Sequence, residues 1–230
     1  MIELFFNPKS VAVIGASGSP GKLGYVIVKN IVDSDFDGEV YPVNPKSDEI
    51  LGFKVYKSLA DIPGAIDLVV TALPTPKITL GAMEACAEKG VKAVIIESAG
   101  FAEVGGEGKD IQQKIVSIAK KNNIRVMGPN CSGIVSRNIV TSIYPMTKKV
   151  PEGNVVLIGQ SGLLAAGMAS DIVENESLNI NKVCSIGNKC DVSENDLLEY
   201  FGDQDEVDVI SMYLENVTDG KNLTRIAKDV

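Results

Sequence analysis

Histidine and tryptophan are absent from this 230-residue sequence, and aromatic residues make up only 5% of it. Imidazole is the side chain that most often moves protons near neutral pH. Its absence excludes a Ser-His-Asp triad, a Cys-His pair and a histidine metal site from this chain alone. Any acid, base or covalent role therefore needs another residue type, another chain or further sequence.

The sequence also has few cysteines, an acidic charge balance and no long apolar run. Its four cysteines form no paired motif, which indicates a reducing compartment, and we therefore expect a cytoplasmic protein. The 22 Lys and Arg against 30 Asp and Glu leave a net charge of −8, which argues against nucleic-acid binding. Neither a membrane span of about 20 apolar residues nor a secretory signal is predicted.

The sequence does contain a regular alternation of short apolar runs and helical stretches. The runs are nearly all apolar, which is typical of parallel strands covered by helices on both faces. Strands are predicted over residues 11–14, 40–43, 68–71, 93–96 and 125–127. Helices are predicted over residues 24–32, 77–89 and 110–121. The pattern predicts an α/β fold with a doubly wound sheet in residues 1–131.

A second unit follows a break in this pattern. Residues 132–153 have no helical period and hold two prolines, so we interpret them as a crossover linker. The alternation restarts in residues 154–230, with strands predicted over 155–158, 182–186 and 207–214. Helices are predicted over 163–174, 194–201 and 220–230. Because the last helix has no strand to return to, we expect this second sheet to be incomplete.

A glycine-rich turn follows the first predicted strand. Gly15, Gly18, Gly21 and Gly24 precede the first long helix, where glycines let the backbone approach a phosphate and the helix start offers free N–H groups. The spacing is longer than the dinucleotide fingerprint and includes Lys22, so the turn alone does not identify a nucleotide site.

The residues at the end of the second strand indicate which kind of nucleotide the turn could bind. A site for NAD has an acidic residue there, which holds the ribose hydroxyls. Here the strand ends in Asn44, Pro45 and Lys46. A lysine at this place favours an extra phosphate on the ribose, as in coenzyme A (CoA) or NADP.

The second unit carries another possible anion site. Ser161 and Gly162 follow a strand and open a helix, whose N–H groups could hold a phosphate. Asn188 and Lys189 follow the next strand, and the lysine would add a cation. Glu215 stands at the carboxyl end of the third strand, where active groups gather in open sheets.

Taken together, these motifs resemble the family of NDP-forming acyl-CoA synthetases, which includes ADP-forming acetyl-CoA synthetase and succinyl-CoA synthetase. The resemblance runs the full length and is carried, in order, by residues 6–17 (FNPKSVAVIGAS), 40–46 (VYPVNPK), 128–133 (GPNCSG) and 187–192 (GNKCDV). It implies a Rossmann-like CoA-binding domain followed by a flavodoxin-like ligase domain, here lacking its C-terminal part.

The resemblance also implies a reaction in which acyl-CoA, ADP and phosphate give a carboxylic acid, ATP and free CoA. Phosphate displaces CoA to form an acyl phosphate, and a histidine then carries the phosphoryl group to ADP. The ADP or ATP, with Mg²⁺, would bind an ATP-grasp domain in a beta subunit or a fused segment, within an oligomer. Since this sequence has no histidine, we expect the chain to bind CoA but not to turn over alone.

Site residues follow from the same resemblance. For CoA the implied set is Gly15, Ser17, Gly21, Lys22, Gly24, Asn44, Pro45, Lys46, Ala72, Leu73, Pro74, Glu97, Ser98 and Asn130, with Asn130 near the thioester. For catalysis it is Ser161, Gly162, Asn188, Lys189 and Glu215, with Glu215 accepting a hydrogen bond from the phosphorylated histidine. No metal ligand is predicted in the chain.

Two other functions stay open at this point. A CoA-binding regulatory module without catalysis would use the first domain but would not need the second anion site. An NADP-dependent oxidoreductase would explain the glycine-rich turn and Lys46 but would leave the second domain without a role.

Overall fold

The computed structural model describes residues 1–175 and 178–230, which form two larger sheets with helices packed on them. The first part of the chain contains strands β1 (Ser10–Ile14), β2 (Glu39–Val43), β3 (Glu49–Ile50), β4 (Phe53–Lys54), β5 (Leu68–Thr71), β6 (Ala93–Ile96) and β7 (Arg125–Met127). The first sheet has the order β2-β1-β5-β6-β7 with parallel pairing throughout. Strands β3 and β4 form a separate antiparallel hairpin.

Helices cover both faces of this sheet. They are α1 (Glu3–Phe6), α2 (Leu23–Asp33), α3 (Pro76–Lys89) and α4 (Gly106–Asn122). Alternate residues of a strand enter different cores: Val11 and Val13 pack with α2, whereas Ala12 packs with residues of α3 and α4. Because both faces are buried, β1, β5 and β6 are apolar at every position except Ser10 and Thr71, which confirms the predicted Rossmann-like architecture.

Local sequence sets the ends of α3. The Thr75 hydroxyl accepts a hydrogen bond from the Ile78 amide, and Pro76 occupies the first helical position. The first amides of a helix have no acceptor within the helix; the Thr75 hydroxyl supplies one acceptor, and Pro76 has no amide hydrogen to satisfy. The helix ends at Gly90, whose φ of 80° lies in the left-handed region.

The second sheet is mixed rather than wholly parallel. It consists of β8 (Ile134–Ser136), β9 (Val155–Gly159), β10 (Ile180–Ser185) and β11 (Val209–Tyr213), in the order β11-β9-β10-β8. Its helical segments are a π-helical turn (Leu163–Gly167) that continues into α5 (Met168–Asn175), then α6 (Glu194–Gly202) and α7 (Gly220–Asp229). Strand β8 runs antiparallel to β10, whereas the other pairs are parallel, so the predicted flavodoxin-like domain is confirmed as mainly parallel.

Strand β8 corrects one sequence-based expectation. It lies inside residues 132–153, which we predicted to be a linker only. The strand is short and is stabilised by a tight return in which the Thr141 amide donates to the Ile134 carbonyl. A strand of three residues has too little periodicity to be recognised locally. The division of the chain at residues 131 and 154 stays a prediction.

The two sheets are joined by backbone hydrogen bonds. The amides of Asn188, Cys190 and Val192 donate to the carbonyls of Pro129, Gly128 and Val126, at 2.9, 3.0 and 3.0 Å. The segment after β10 therefore runs beside the end of β7. This seam brings the carboxyl ends of strands from both sheets to the same region.

No helix within the two described ranges combines the length and the apolar character that crossing a bilayer requires.

Candidate functional site

An open cleft of about 970 Å³ lies at the carboxyl ends of β1, β2 and β5, and we call it the outer cleft. Much of its wall is apolar, with Ile14, Val43 and Ile78 among the residues that contribute. The sequence-predicted residues that line it are Gly15, Ser17, Gly21, Lys22, Gly24, Asn44, Pro45, Lys46, Ala72, Leu73 and Pro74. The fold thus brings the first three predicted segments together in one cleft.

Two glycines make the close packing of the first turn possible. Gly15 has a φ of 89°, and a Cβ there would lie 2.4 Å from the Ala72 carbonyl oxygen. A Cβ on Gly24 would lie 2.0 Å from the Gly15 carbonyl oxygen. Helix α2 therefore begins directly against the turn, and within the described residues no side chain caps its start. Its first amides and the positive end of its dipole are available to an anion.

Asn44 contributes to the cleft by bracing the turn. Its side-chain amide donates to the Ala16 carbonyl at 2.7 Å, and its side-chain oxygen accepts from the Lys46 amide at 2.8 Å. Both polar atoms of this side chain thus have partners within the chain, and its contact with a ligand stays a prediction. The asparagine fixes the turn and the lysine relative to each other.

Lys57 is a residue of the outer cleft that sequence reasoning missed. It lines the cleft beside Lys46, and its ammonium donates to the Ser47 carbonyl at 2.8 Å and to the Asp48 carboxylate at 2.6 Å. The hydrogen bond from Lys57 holds the pKa of Asp48 below its ordinary value. Lys57 reaches this place because Tyr56, after the β3–β4 hairpin, pairs with the end of β2, and that hairpin is too short to predict from a pattern.

A second cleft of about 630 Å³ lies between the two sheets, and we call it the inner cleft. Leu23, Leu73 and Pro74 line both clefts, so the two clefts adjoin each other. The sequence-predicted residues that line the inner cleft are Glu97, Ser98, Asn130, Ser161, Gly162, Asn188 and Glu215. Residues from the second predicted anion site and from the GPNCSG segment therefore meet in one space.

Ser98 positions the wall shared by the two clefts. Its hydroxyl accepts from the Leu73 amide at 3.2 Å and donates to the Leu73 carbonyl at 2.7 Å. Its own carbonyl accepts from the Asn130 amide at 2.9 Å. Like Asn44, this serine uses its side chain to hold neighbouring backbone rather than pointing it into open space.

Asn130 and Asn188 connect the two domains across the inner cleft. The Asn130 side chain donates to the Asn188 side-chain oxygen at 3.3 Å. The Asn188 side chain in turn donates to Glu103 and Gln112, at 2.6 and 3.0 Å. Asn130 has a φ of 56°, in the left-handed region where asparagine is better tolerated than most residues. The asparagine pair thus aligns the two halves of the cleft.

Lys189 does not supply the free cation that we predicted for the anion site. Its ammonium lies 2.8 Å from the Glu194 carboxylate and 2.7 Å from the Asn216 carbonyl. The side chains of Lys189 and Glu194 are 4% and 0% exposed, and neither residue lines the inner cleft. An ammonium so buried needs a carboxylate partner, which is why it turns away from the cleft.

Cys131 lines the inner cleft but is closed off from reaction. Its thiol is buried and donates to the Ile96 carbonyl at 3.3 Å. Burial raises the pKa of this thiol well above its ordinary value, so the reactive thiolate is not formed near neutral pH.

Glu97 is a buried acid in the wall of the inner cleft. It is 6% exposed, and neither carboxyl oxygen has a hydrogen-bond partner among the described residues. A Cβ on Gly133 would lie 2.7 Å from one of these oxygens, so glycine leaves the space that the carboxyl occupies. Burial raises the pKa of Glu97 well above 4.5, and the carboxyl is therefore held in its neutral form.

We expect this burial to make the free energy of unfolding fall as the pH rises from about 5. The unfolded chain loses the Glu97 proton near pH 4.5, whereas the folded chain keeps it until the raised pKa is reached. Between those values the folded state binds more protons, and stability declines by up to about 1.4 kcal/mol per pH unit. Glu97→Gln removes this dependence, so its melting temperature relative to the unaltered chain should rise between pH 5 and pH 8.

The exposed Glu107→Gln substitution is the matched control, and it should follow the unaltered chain at every pH. Melting curves recorded by circular dichroism at each pH measure both variants. A constant difference between Glu97→Gln and the unaltered chain from pH 5 to pH 8 would contradict a neutral buried Glu97.

Comparisons with known proteins agree with the two domains. A family model described as a CoA binding domain matches residues 9–137, and a model described as a succinyl-CoA ligase like flavodoxin domain matches residues 152–230. The alpha subunit of acetate–CoA ligase [ADP-forming] II from Pyrococcus furiosus is 42% identical over all of this chain and 50% of its own length. Acetate–CoA ligase [ADP-forming] from Methanocaldococcus jannaschii is 44% identical over 96% of this chain and 30% of its own length.

A solved structure extends the similarity to three dimensions. The dinucleotide forming acetyl-coenzyme A synthetase 1 of Ca. Korarchaeum cryptofilum, in complex with phosphate and ADP, matches with a TM-score of 0.92 and 34% identity. The match covers 100% of this chain and 49% of that one. The present chain thus spans about half the length, or less, of the relatives that it matches.

Proposed function

Because the chain belongs to the CoA-binding part of the ADP-forming acyl-CoA synthetase family, we propose that its outer cleft binds CoA and its inner cleft holds the reacting acyl and phosphate groups. In the complete enzyme, acyl-CoA, ADP and phosphate would be interconverted with a carboxylic acid, ATP and free CoA. Acetyl-CoA is the first acyl-CoA to test, since the acetate–CoA ligases are among the relatives.

The single observation that carries the proposal is that the two clefts adjoin and share Leu23, Leu73 and Pro74 in their walls. CoA has an anionic nucleotide end and a long, mostly neutral pantetheine arm that ends in the thiol. The outer cleft offers a glycine turn, a helix start and lysines for the anionic end. Leu73 and Pro74 lead from there into the inner cleft, where Asn130 faces the second domain.

The inner cleft would hold the phosphate through backbone amides of its lining. The Ser161–Gly162 segment precedes the π-helical turn and can direct backbone amides at an anion. Asn130 lies on the opposite side of the same space and could orient the thioester carbonyl. Phosphate would attack that carbonyl, and the C–S bond would break to release CoA as the C–O bond of the acyl phosphate forms.

The following phosphoryl transfer requires a histidine that this chain lacks. The imidazole nitrogen would bond to phosphorus as the acyl phosphate releases its carboxylate, and an oxygen of ADP would then take the phosphoryl group. Glu215, at the rim of the inner cleft, would orient the phosphorylated imidazole. ADP with Mg²⁺ would bind an ATP-grasp subunit or fused domain, in an oligomer. By itself the 230-residue chain would bind CoA without turnover.

Calorimetric titration of this chain tests the proposal directly. We expect one CoA to bind per chain and NADP not to compete. The relatives support neither of the alternatives left open by the sequence, the regulatory module and the oxidoreductase. Tight NADP binding without CoA binding would overturn the proposal.

Lys46→Met is expected to weaken CoA binding about tenfold, or about 1.4 kcal/mol, because it removes a cation from the nucleotide end of the cleft. Dephospho-CoA, which lacks the 3′-phosphate on the ribose, should bind the variant and the unaltered chain equally. The exposed Lys114→Met substitution on the far helix α4 has the same charge change and should have no effect. If Lys46→Met weakened both ligands equally, the lysine would not read the ribose phosphate.

A further inference from the structure

The loop that carries Glu215 has little packing to hold it. It follows β11, which is an edge strand of the second sheet, and the residues from Glu215 to Gly220 are exposed. Even the apolar Val217 exposes 41% of its surface. Where side-chain packing is sparse, hydrogen bonds to the backbone must determine the conformation of a loop.

Gln160 provides one set of these hydrogen bonds. Its side-chain oxygen accepts from the amides of Glu215 and Asn216, at 2.9 and 3.2 Å, and its side-chain amide donates to the Asn216 side-chain oxygen at 3.1 Å. The Gln160 backbone amide donates to the Tyr213 carbonyl at 2.9 Å. The residue directly after β9 therefore makes three hydrogen bonds to the loop and one to the last residue of β11.

Lys189 provides a second restraint on the backbone at Asn216. Its ammonium donates to the Asn216 carbonyl at 2.7 Å while it pairs with the buried Glu194 at 2.8 Å. Glu194 lies in the first turn of α6, and Lys189 precedes that helix. The ion pair thus anchors Asn216 to a rigid element rather than to another loop.

We propose that Gln160 and Lys189 are positioning residues that hold the Glu215–Asn216 backbone so that the Glu215 carboxylate stands at the rim of the inner cleft. The proposal rests on the function proposed above, in which Glu215 orients the phosphorylated imidazole. It gives roles to a lysine that does not reach the cleft and to a glutamine whose oxygen is used by the loop. Gln160 lines the inner cleft, but its side-chain oxygen and nitrogen both bond to the loop, and Lys189 does not line that cleft.

The test uses the complete enzyme with its ATP-grasp part and measures two half-reactions separately. The first is release of CoA thiol from acyl-CoA and phosphate, and the second is formation of ATP from acyl phosphate and ADP. Gln160→Leu removes one restraint. Lys189→Met combined with Glu194→Met removes the other, because methionine at both places leaves no unpaired buried charge. Glu215→Gln removes the carboxylate charge itself.

We expect each restraint variant to slow ATP formation about tenfold, or about 1.4 kcal/mol, and to leave thiol release within twofold. The decisive comparison is made in the Glu215→Gln background. If the restraints act through Glu215, they should slow ATP formation no further there. Lys114→Met serves as a charge-matched control that should change neither half-reaction.

The other outcomes overturn the inference in distinguishable ways. If Glu215→Gln slows ATP formation but the restraint variants do not, or if their effects add to it, only the positioning role fails. If Glu215→Gln has no effect, the proposed role of Glu215 fails and the inference fails with it. If the paired methionine variant does not bind CoA or fold, the partly exposed Gln160→Leu decides alone.

Discussion

Gly24→Ala is expected to lower the affinity for CoA at least about a hundredfold, or about 3 kcal/mol. The new Cβ would lie 2.0 Å from the Gly15 carbonyl oxygen and 3.0 Å from the Ala16 Cα, where ordinary contacts begin at 3.4 Å. All the opposing atoms are backbone and cannot rotate away, so α2 must move off the turn. That movement withdraws the start of the helix from the phosphate position and weakens the core behind it by about 1–3 kcal/mol.

Calorimetric titration with CoA measures the loss, and a melting curve separates it from unfolding. Gly18→Ala, in the same turn, is the matched control. A Cβ on Gly18 would be 3.9 Å from its nearest neighbour, a side-chain carbon of Ile50, and its φ is not positive. This variant should bind CoA within about twofold of the unaltered chain. Equal affinities for the two variants would show that the close approach of α2 to the turn is not what binds the ligand.

Arg125→Met is expected to lower the free energy of unfolding by about 3 kcal/mol. The Arg125 guanidinium bridges the two domains, with its nitrogens 2.8 Å from the carboxylates of Asp191 and Asp196. Its side chain is 21% exposed, so water replaces these bonds only in part after the substitution. Burial alone would raise the pKa of Asp196, but hydrogen bonds from Ser193 and Arg125 bring it below its ordinary value. Without the arginine, two partly buried carboxylates face each other.

Urea unfolding measures this loss, and the variant should also bind CoA more weakly because the domain seam loosens. Lys57→Met is a suitable comparison for stability. Its ion pair with Asp48 is 50% and 96% exposed, and an exposed pair contributes about 0–1 kcal/mol. If Arg125→Met cost no more than Lys57→Met, the bridge would not be what holds the domains together.

Much of the fold could be predicted because its signals are local. Strands β1, β5 and β6 are short apolar runs between turn residues, and each was found where the pattern placed it. Helix ends were also readable, as at Thr75 and Pro76. By contrast, β8 has only three residues and forms because β10 and the return at Thr141 supply its partners. Such a strand has no local signal.

The candidate site divides in the same way. Glycines, lysines and asparagines near strand ends could be named from the sequence, since parallel strands share one active edge. The contacts that their side chains make could not be predicted from the sequence. Asn44 bonds to the first turn, Ser98 bonds to Leu73, and Lys189, predicted to serve an anion, pairs with Glu194 instead. Contacts of Asn44 and Ser98 with a ligand stay predictions. Gln160, which bonds the Glu215 loop, carries no chemical signature of its own.

The order of residues alone established the alternating fold, the glycines at the first turn and the lack of any imidazole. These properties depend on composition or on spacing over a few positions, and neither changes with the tertiary environment. Packing of the two sheets decided that the two clefts adjoin, that Asn130 contacts Asn188, and that Lys189 pairs with the buried Glu194. Asn130 and Asn188 are 58 positions apart in the sequence. Partners so distant form a stable hydrogen bond only when folding buries them, because water would otherwise compete for the same donor and acceptor.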